Sequence, residues 1–322
     1  MKKRLALLLI ISSIVVLSTG CLGRGEVNTQ FTIGIIQYND HIALDQARLG
    51  FIDALKDNGY QDNDKISLDY QNAQEDQSNL TTIADRFVAN NVDLVLAIAT
   101  PAAQAIAGKT STIPILATAI TDYEAARLVD SNEVPGGNVT GTSDMNPIKE
   151  QIDLLVQLVP TAQTVGALYA SNEDNSILQA QIAKQAITDL GLNYVEVTVS
   201  NSNEVQQATQ SIVTQCDAIY IPTDNVFASA MPIVHGVTAE SKTPVICGEA
   251  GMVNSGGLAT LGINYYDLGY QTGLMAIRVL TGEAEPATMP IELPSDYDFT
   301  INQTVANDIE LTIPAELQKY AQ

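Results

Sequence analysis

The chain has 322 residues, with 15 basic against 37 acidic side chains and a net charge of −22. That balance excludes a nucleic-acid surface, whose phosphates demand lysine and arginine; the length exceeds what a single core comfortably fills, so two lobes are expected. Two histidines, His41 and His235, and three cysteines without a Cys-x-x-Cys pair argue against a zinc site.

Lys2, Lys3 and Arg4 precede an apolar run from Leu5 to Leu17, and Ser18-Thr19-Gly20-Cys21 follow. A basic start, a short apolar core and small residues before a cut read as a secretory signal over residues 1–20. The run is too short to span a bilayer comfortably. The small residues before Cys21 resemble a bacterial lipobox, although Ser18 stands where an aliphatic residue is usual. Cys21 then becomes an acylated N-terminus and residues 21–30 a polar tether. The expected location is extracytoplasmic, held to the cell membrane by the lipid on Cys21. Without Lys2, Lys3 and Arg4 the balance is 12 basic to 37 acidic residues, a net charge of −25. Solubility and mutual repulsion account for most of those carboxylates. Cys216 and Cys247 each border an apolar strand and read as buried thiols, with one disulfide as the alternative.

An α/β pattern then begins. Thr32–Tyr38 is a mostly apolar strand, and residues 43–58 form a helix with Leu44, Ala47, Phe51 and Leu55 on one face. Gly59 stops it. A strand at 66–70, a helix face marked by Leu80, Ile83, Ala84 and Phe87, and a continuous apolar strand over 92–98 follow, as a parallel sheet covered on both sides requires. A short helix from Pro101 and a strand at 113–117 complete the first unit. The second unit opens with a helix at 148–158 and a strand at 164–169. It continues through helices at 174–190, 203–214 and 226–240 and strands at 192–199, 218–221 and 244–247. The two units echo each other: Thr32–Tyr38 with Thr164–Tyr169, Val92-Asp93-Leu94-Val95 with Cys216-Asp217-Ala218-Ile219, and Ile113-Pro114-Ile115 with Thr243-Pro244-Val245. The offsets are near-constant and imply two lobes of like fold. A helix at 267–281, a strand at 289–293 and a last segment, Ala306–Pro314, are too short for a third domain. They are expected to complete the two sheets by crossing back between them. The expected lobes are 31–142 with 266–289 and 147–260 with 294–318. The linkers fall near 142–147, 260–265 and 290–298.

Ligands of open α/β sheets bind beyond the C-terminal ends of the strands. Those ends carry Tyr38 and His41; Thr100, Ala102 and Ala103; Thr121 and Asp122; Asp144 at the first crossover; Asn172; and Asp224-Asn225, with Glu249 and Tyr265-Tyr266 closing the set. Acids and amides abound and lysine and arginine are missing, so this wall suits an ammonium group. Thr100 reads as a helix N-cap and Pro101 as the first helical residue. Ala102 and Ala103 would then offer free N–H groups to a ligand anion, or simply begin a capped helix. Asp224 reads equally as a helix cap or as an anchor for an amine, with Asp144 or Asp122 helping from the other lobe. Tyr38 and Tyr266 offer a polar-tipped apolar shelf, or ordinary packing. Gly-x-Ser-x-Gly, a phosphate loop and Gly-x-Gly-x-x-Gly are all missing. His41 four residues from Asp45 is a weak dyad, so no enzyme is expected.

Several motifs together resemble the ABC-transporter substrate-binding proteins associated with tryptophan and tyrosine uptake. They are His41-Ile42-Ala43-Leu44-Asp45 with Gly50-Phe51, Asp69-Tyr70-Gln71-Asn72-Ala73-Gln74, Ile98-Ala99-Thr100-Pro101-Ala102-Ala103-Gln104 and Ala119-Ile120-Thr121-Asp122. Pro135-Gly136-Gly137-Asn138-Val139-Thr140-Gly141, Asp224-Asn225 and Leu261-Gly262-Ile263-Asn264-Tyr265-Tyr266-Asp267-Leu268-Gly269 complete the set. Ile42 and Tyr123 stand where the family usually has proline. The resemblance covers residues 31–318. It implies a periplasmic-binding-protein type I fold, two doubly wound lobes on a multi-strand hinge, acting as a monomer without cofactor or catalysis. Similar proteins pass a free amino acid, often tryptophan, tyrosine or phenylalanine, to a permease and its ATPase. By that resemblance the ligand carboxylate meets Thr100 and the N–H groups after Pro101. The ammonium meets Asp224 with Asn225 and Asp144, and the side chain lies toward Tyr38, His41 and Tyr266. A ligand-sensing surface lipoprotein, or a binder of nucleosides or peptides, is the alternative.

Overall fold

The computed structural model describes residues 30–294 and 296–322. The predicted signal, Cys21 and all of the tether except Gln30 lie outside the described residues.

The first unit runs β1 (Phe31–Gln37), α1 (Ile42–Asp57), β2 (Ile66–Asn72), α2 (Gln77–Ala89), β3 (Leu94–Ile98), α3 (Thr100–Ala107), β4 (Ile115–Ile120), β5 (Val139–Ser143). Its strands are all parallel, in the order β2-β1-β3-β4-β5. Every residue of β3 and β4 is buried, which is why they read as unbroken apolar runs instead of alternating ones. The second unit runs α4 (Ile148–Leu158), β6 (Thr164–Ala170), α5 (Asp174–Asp189), β7 (Asn193–Val199), α6 (Val205–Ile212), β8 (Ala218–Ile221), α7 (Asn225–Ser241), β9 (Val245–Cys247), α8 (Ala250–Asn254), β10 (Ala259–Gly262). After it come α9 (Tyr265–Leu280), β11 (Asp298–Ile301) and α10 (Gln303–Asp308). The second sheet is ordered β11-β10-β9-β8-β6-β7. Read from its other edge, its first five strands repeat the order of the first sheet, so the sequence echo reflects a shared topology.

The C-terminal stretch is divided between the two lobes. Leu268, Met275 and Ala276 of α9, with Met289 and Ile291, join the apolar core of the first sheet. Ile301, Val305, Ala306, Ile313 and Leu317 join that of the second. The chain therefore crosses between lobes after β5, after β10 and again between Ile291 and β11. Helix α9 lies on α1 at a very close approach. A Cβ on Gly269 would strike the carbonyl of Ala47, and one on Gly50 the carbonyl of Tyr266. Only glycine permits two helices to touch backbone to backbone in this way.

Several elements differ from the sequence expectation, among them β5, α8, β10 and α10, which it did not include. The segment predicted as a strand at 289–293 contributes a single bridge. Ser143 N donates to Glu292 O at 2.9 Å and Glu292 N to Gly141 O at 3.0 Å. Pro290 and Pro294 on either side remove the donors that a longer ladder needs. The last strand is instead β11, antiparallel to β10. Helix 203–214 divides into a 3₁₀ turn, Ser202–Glu204, and α6. Cys216 and Cys247 are free thiols as expected, but only Cys247 is buried and Cys216 is half-buried.

Candidate functional site

The C-terminal strand ends of the two sheets face each other, and the lobes touch across the gap. Asn39 Nδ2 donates to Asn225 O at 2.9 Å, and His41 Nε2 lies 3.2 Å from Asn225 Oδ1. Gln104 Nε2 donates to Asp174 Oδ2 at 2.8 Å, Gln179 Nε2 to Thr121 Oγ1 at 3.0 Å, and Ser202 N to Glu75 Oε1 at 3.1 Å. The arrangement is closed.

Between these contacts lies a small cavity that the closed lobes leave almost filled. The first lobe and the crossovers supply His41, Leu44, Ala119, Asp144 and Tyr265. The second lobe supplies Asn175, Thr223, Asp224, Asn225, Ala228 and Glu249. Local structure fixes each contribution. His41 is the residue before α1, held by a loop that Gln37 braces through bonds to Asn39 O (2.8 Å) and Asp45 Oδ1 (2.9 Å). Ala99 and Ala119, after β3 and in β4, have φ of 82° and 57°. Left-handed backbone at non-glycine residues is a strained conformation that gathers at ligand sites. Asp224 caps α7, and Glu249 caps α8 through Met252 N at 2.8 Å and Gly251 N.

The cavity region is acidic and carries no counter-charge. Asp144, Glu173, Asp224 and Glu249 are each 1–3% exposed, and none of them takes part in an ion pair among the described residues. Burial raises the Asp144 carboxyl, against hydrogen bonds from Tyr265 OH (2.6 Å) and Thr121 Oγ1 (3.0 Å). Burial pushes Glu249 up to about 7, and Glu173 up to about 8 with the Asp224 charge adding to it. Asp224 is raised by burial too, but backbone N–H groups of Ala170 (2.6 Å) and Phe227 (2.8 Å) bond its two oxygens. Those bonds favour the ionised form of Asp224 and work against its burial, whereas Glu173 is pushed well above the usual carboxylate range. Burial drives His41 down to about 4, so its imidazole is neutral. Two residues of the lining, His41 and Asn175, leave Nδ1 and Oδ1 buried without a protein partner, and so do Asn39 Oδ1 and Glu173 Oε1 on side chains bonded to Asn225; the Thr100 hydroxyl is another such atom. Native interiors satisfy nearly all such atoms, so the unpartnered His41 and Asn175 atoms at the cavity are places where a polar ligand could bond.

Of the sequence-derived candidates, His41, Asp144, Asp224 and Asn225 line the cavity. Tyr38 is buried behind it, its hydroxyl raised by burial and then by Glu173. Thr121 is buried and bonds Asp144. Four expectations are corrected. Ala99, not Thr100, is the N-cap of α3, and Ala102 N and Ala103 N both bond Ala99 O at 3.1 Å. The two free amides expected to form an anion cradle are therefore already used; of the Thr100 group, the hydroxyl is the one left over. Asn172 is exposed, while its neighbours Glu173 and Asn175 are buried. Asp122 caps a turn through Ala125 N at 2.8 Å and lines a separate hinge groove. Tyr266 turns away, its hydroxyl on Asp53 Oδ2 at 3.0 Å, and Tyr265 takes the cavity position. The signal was present: Asn264 caps Tyr266 N and Asp267 N, so the helix starts at Tyr265, two residues earlier than its apolar pattern suggested. Glu249 stood in the sequence inventory too, but its side chain was not chosen.

Two matched lobes, three crossovers and a closed polar cavity between strand ends define a solute-binding protein of the periplasmic type I fold. The family described as ABC transporter substrate binding protein matches residues 32–322, and the chain belongs to it. It is thus the extracytoplasmic solute-binding component of an ABC importer, from a family that binds and does not catalyse. A tyrosine-binding protein of Clostridioides difficile (strain R20291) is 42% identical over 288 residues, 89% of this chain and 83% of that one. An ABC domain from Streptococcus pneumonia in complex with L-Trp is 39% identical, covering 91% of this chain and 98% of that one, with a TM-score of 0.87. The ligand-free, open structure of a substrate-binding protein with adhesive properties from Clostridium difficile is 41% identical, covering 91% and 99%, yet its TM-score is 0.69. Similar identity with unequal superposition is what a rotation of lobes produces, and it matches the closed geometry seen here.

Proposed function

We propose that this protein captures a free aromatic amino acid, tryptophan, tyrosine or phenylalanine, in the interlobe cavity and delivers it to the importer's permease and ATPase. The lobes that close are residues 31–142 with 266–289 and 147–260 with 294–318. The protein works as a monomer, held at the membrane by a lipid on Cys21. The observation that carries the reading is the buried cavity lined by Asp144, Asp224 and Glu249 without a basic partner. Such a wall accepts a cation, and an α-ammonium group supplies one. The ammonium meets Asp224, with Asp144 and Asn225 beside it, and the Thr100 hydroxyl is left to donate to the carboxylate. The tryptophan complex and the tyrosine-binding relative support an aromatic side chain.

Three measurements test this. Mass spectrometry of the solute released on denaturing the purified protein should find an aromatic amino acid. Calorimetric titration of the stripped protein should rank aromatic amino acids above a nucleoside and a dipeptide; tight binding of either control with none of the amino acids would overturn the reading. Replacing Cys21 by serine should release the protein from the membrane fraction; full retention would remove the lipid anchor.

A further inference from the structure

His41 reaches across the cleft to a short chain of hydrogen bonds whose direction is set at its far end. Glu173 Oε2 accepts from Asn225 Nδ2 at 2.5 Å and from Asn175 Nδ2 at 3.3 Å. Oε2 also accepts the Asn225 backbone N–H at 3.4 Å, and Asn175 Nδ2 is oriented by its bond to Thr223 O at 3.0 Å, so the Glu173 proton is placed on the partnerless Oε1 and Oε2 stays an acceptor. Asn225 must therefore keep its NH₂ toward Glu173, and its Oδ1 toward His41. Asn225 Oδ1 has no proton to give, so the His41 Nε2 atom 3.2 Å away is the donor. A neutral imidazole with its proton on Nε2 has a bare lone pair on Nδ1.

That lone pair has nowhere else to go within the protein. His41 precedes α1 but makes no side-chain cap to its first turn. Nδ1 is buried and has no protein partner, and His41 lines the cavity. Burial keeps the ring neutral down to about pH 4, so the acceptor persists at any pH of interest. An ammonium in the same cavity is drawn to the carboxylates of Asp144 and Asp224 in preference to a neutral nitrogen. The partner left for Nδ1 is an uncharged donor on the ligand's side chain.

We propose that the Glu173–Asn225–His41 relay fixes His41 Nδ1 as a hydrogen-bond acceptor and thereby makes His41 a specificity-determining residue, selecting aromatic amino acids with a phenol O–H or an indole N–H. This rests on the aromatic amino-acid reading above. The relay joins the lobes, Glu173 and Asn225 on one and His41 on the other, so the acceptor is oriented only in the closed form. A site built around an acceptor rejects analogues without the matching donor, because the buried lone pair is then left unpaired.

The test has two arms. Nitrogen-15 NMR of the imidazoles in the whole protein reads the tautomer directly, and His41 should show a protonated Nε2 and an unprotonated Nδ1. Calorimetry should show tyrosine favoured over phenylalanine, and tryptophan over 1-methyltryptophan, by about tenfold in the parent. In His41→Leu both ratios should fall to within about twofold, phenylalanine losing least. A proton on Nδ1, ratios near unity in the parent, or ratios preserved in the variant would each overturn the proposal. If His41→Leu does not fold, the tautomer and the parent ratios decide it. Failure of every amino acid to bind would overturn the functional reading and the ligand half of this inference together. The tautomer would still report on the relay.

Discussion

Asp224→Asn separates the two jobs that the cavity assigns to one carboxylate. Oδ1 accepts Phe227 N at 2.8 Å and Oδ2 accepts Ala170 N at 2.6 Å, so the group ties the start of α7 to the end of β6. An amide has a single acceptor oxygen. Its NH₂ would face one of those backbone donors, with the loss of one charge-assisted bond worth about 1.5–3 kcal/mol. Asparagine can keep a helix cap, but the second bond, to Ala170, makes a stability loss the expected result. At roughly 2–4 °C per kcal/mol for a lobe of this size, Tm should fall by roughly 3–12 °C. Binding carries a second, distinct penalty. Removing the charge leaves an ammonium in a closed cavity facing a neutral amide, which costs roughly 2–5 kcal/mol, or about 1.5 to 3.5 decades in Kd. Urea unfolding without ligand reads the first effect. Calorimetry well below the variant's Tm reads the second, and preference over the des-amino analogue should shrink in step. If the variant binds as tightly as the parent while its Tm drops, Asp224 is a cap only, and Asp144 is the next residue to test.

The remaining expectations rest on other parts of the structure. Thr100→Val removes a buried hydroxyl with no protein partner, so stability should change by less than about 0.5 kcal/mol while binding weakens by about 0.5–1.5 kcal/mol; equal affinities in calorimetry would assign Thr100 to packing. Gly269→Ala drives a Cβ into the Ala47 carbonyl and should lift α9 from α1 at a cost of about 1–3 kcal/mol; an unchanged urea midpoint would contradict the close approach. Stability should also depend on pH with a definite sign. Glu249 and Glu173 are raised to about 7 and 8, so the folded state holds protons that the unfolded chain has released. Their contribution is full below their ordinary value near 4.5 and is lost as pH rises through 7 and 8. His41, lowered to about 4, acts in the opposite sense, but its contribution is present above its ordinary 6.5 and lost only as pH falls toward 4. Between pH 6.5 and 8.5 the carboxyls decide, and Tm of the stripped protein should fall. Affinity for the ammonium ligand should rise over the same interval; a Tm that climbed instead would refute the assignment of these carboxyls as uncompensated.

The two lobes were legible because buried parallel strands leave an unmistakable mark. Leu94–Ile98 and Ala218–Ile221 are apolar at every position, and each leads within a few residues into a helix. The final strand was not legible. Asp298-Phe299-Thr300-Ile301 is four residues long, mixed in character, and is made a strand by β10, to which it pairs. At the site, the rule that ligands lie beyond strand ends named the right loops, but it could not say which neighbour within a loop turns inward. That choice depends on where a helix begins. One residue separates Tyr265 from Tyr266, Glu173 from Asn172, and Ala99 from Thr100, and a step of one residue on a helix turns a side chain by about 100°. Glu249 was passed over because a glutamate after a strand reads as a cap, which it is; that it also walls the cavity follows only from the way the lobes close.

Charge and closure are coupled in this arrangement. With the lobes apart, carboxylates at strand ends can be hydrated. Closing them brings Asp144 from the crossover and Asp224 and Glu249 from the second lobe around one dry cavity, with Glu173 behind. The direct contacts across the gap are neutral or singly charged hydrogen bonds: Asn39 to Asn225, Gln179 to Thr121, Gln104 to Asp174. Each contributes about 1 kcal/mol, whereas burying an uncompensated carboxylate costs several. Closure is therefore held back by the cavity's own charge unless protons or a cation enter with it. A bound ammonium offsets that repulsion only in the closed form. The protein can thus recognise a zwitterionic solute without placing a single fixed cation near it: the solute's positive end permits the closure that buries its uncharged side chain.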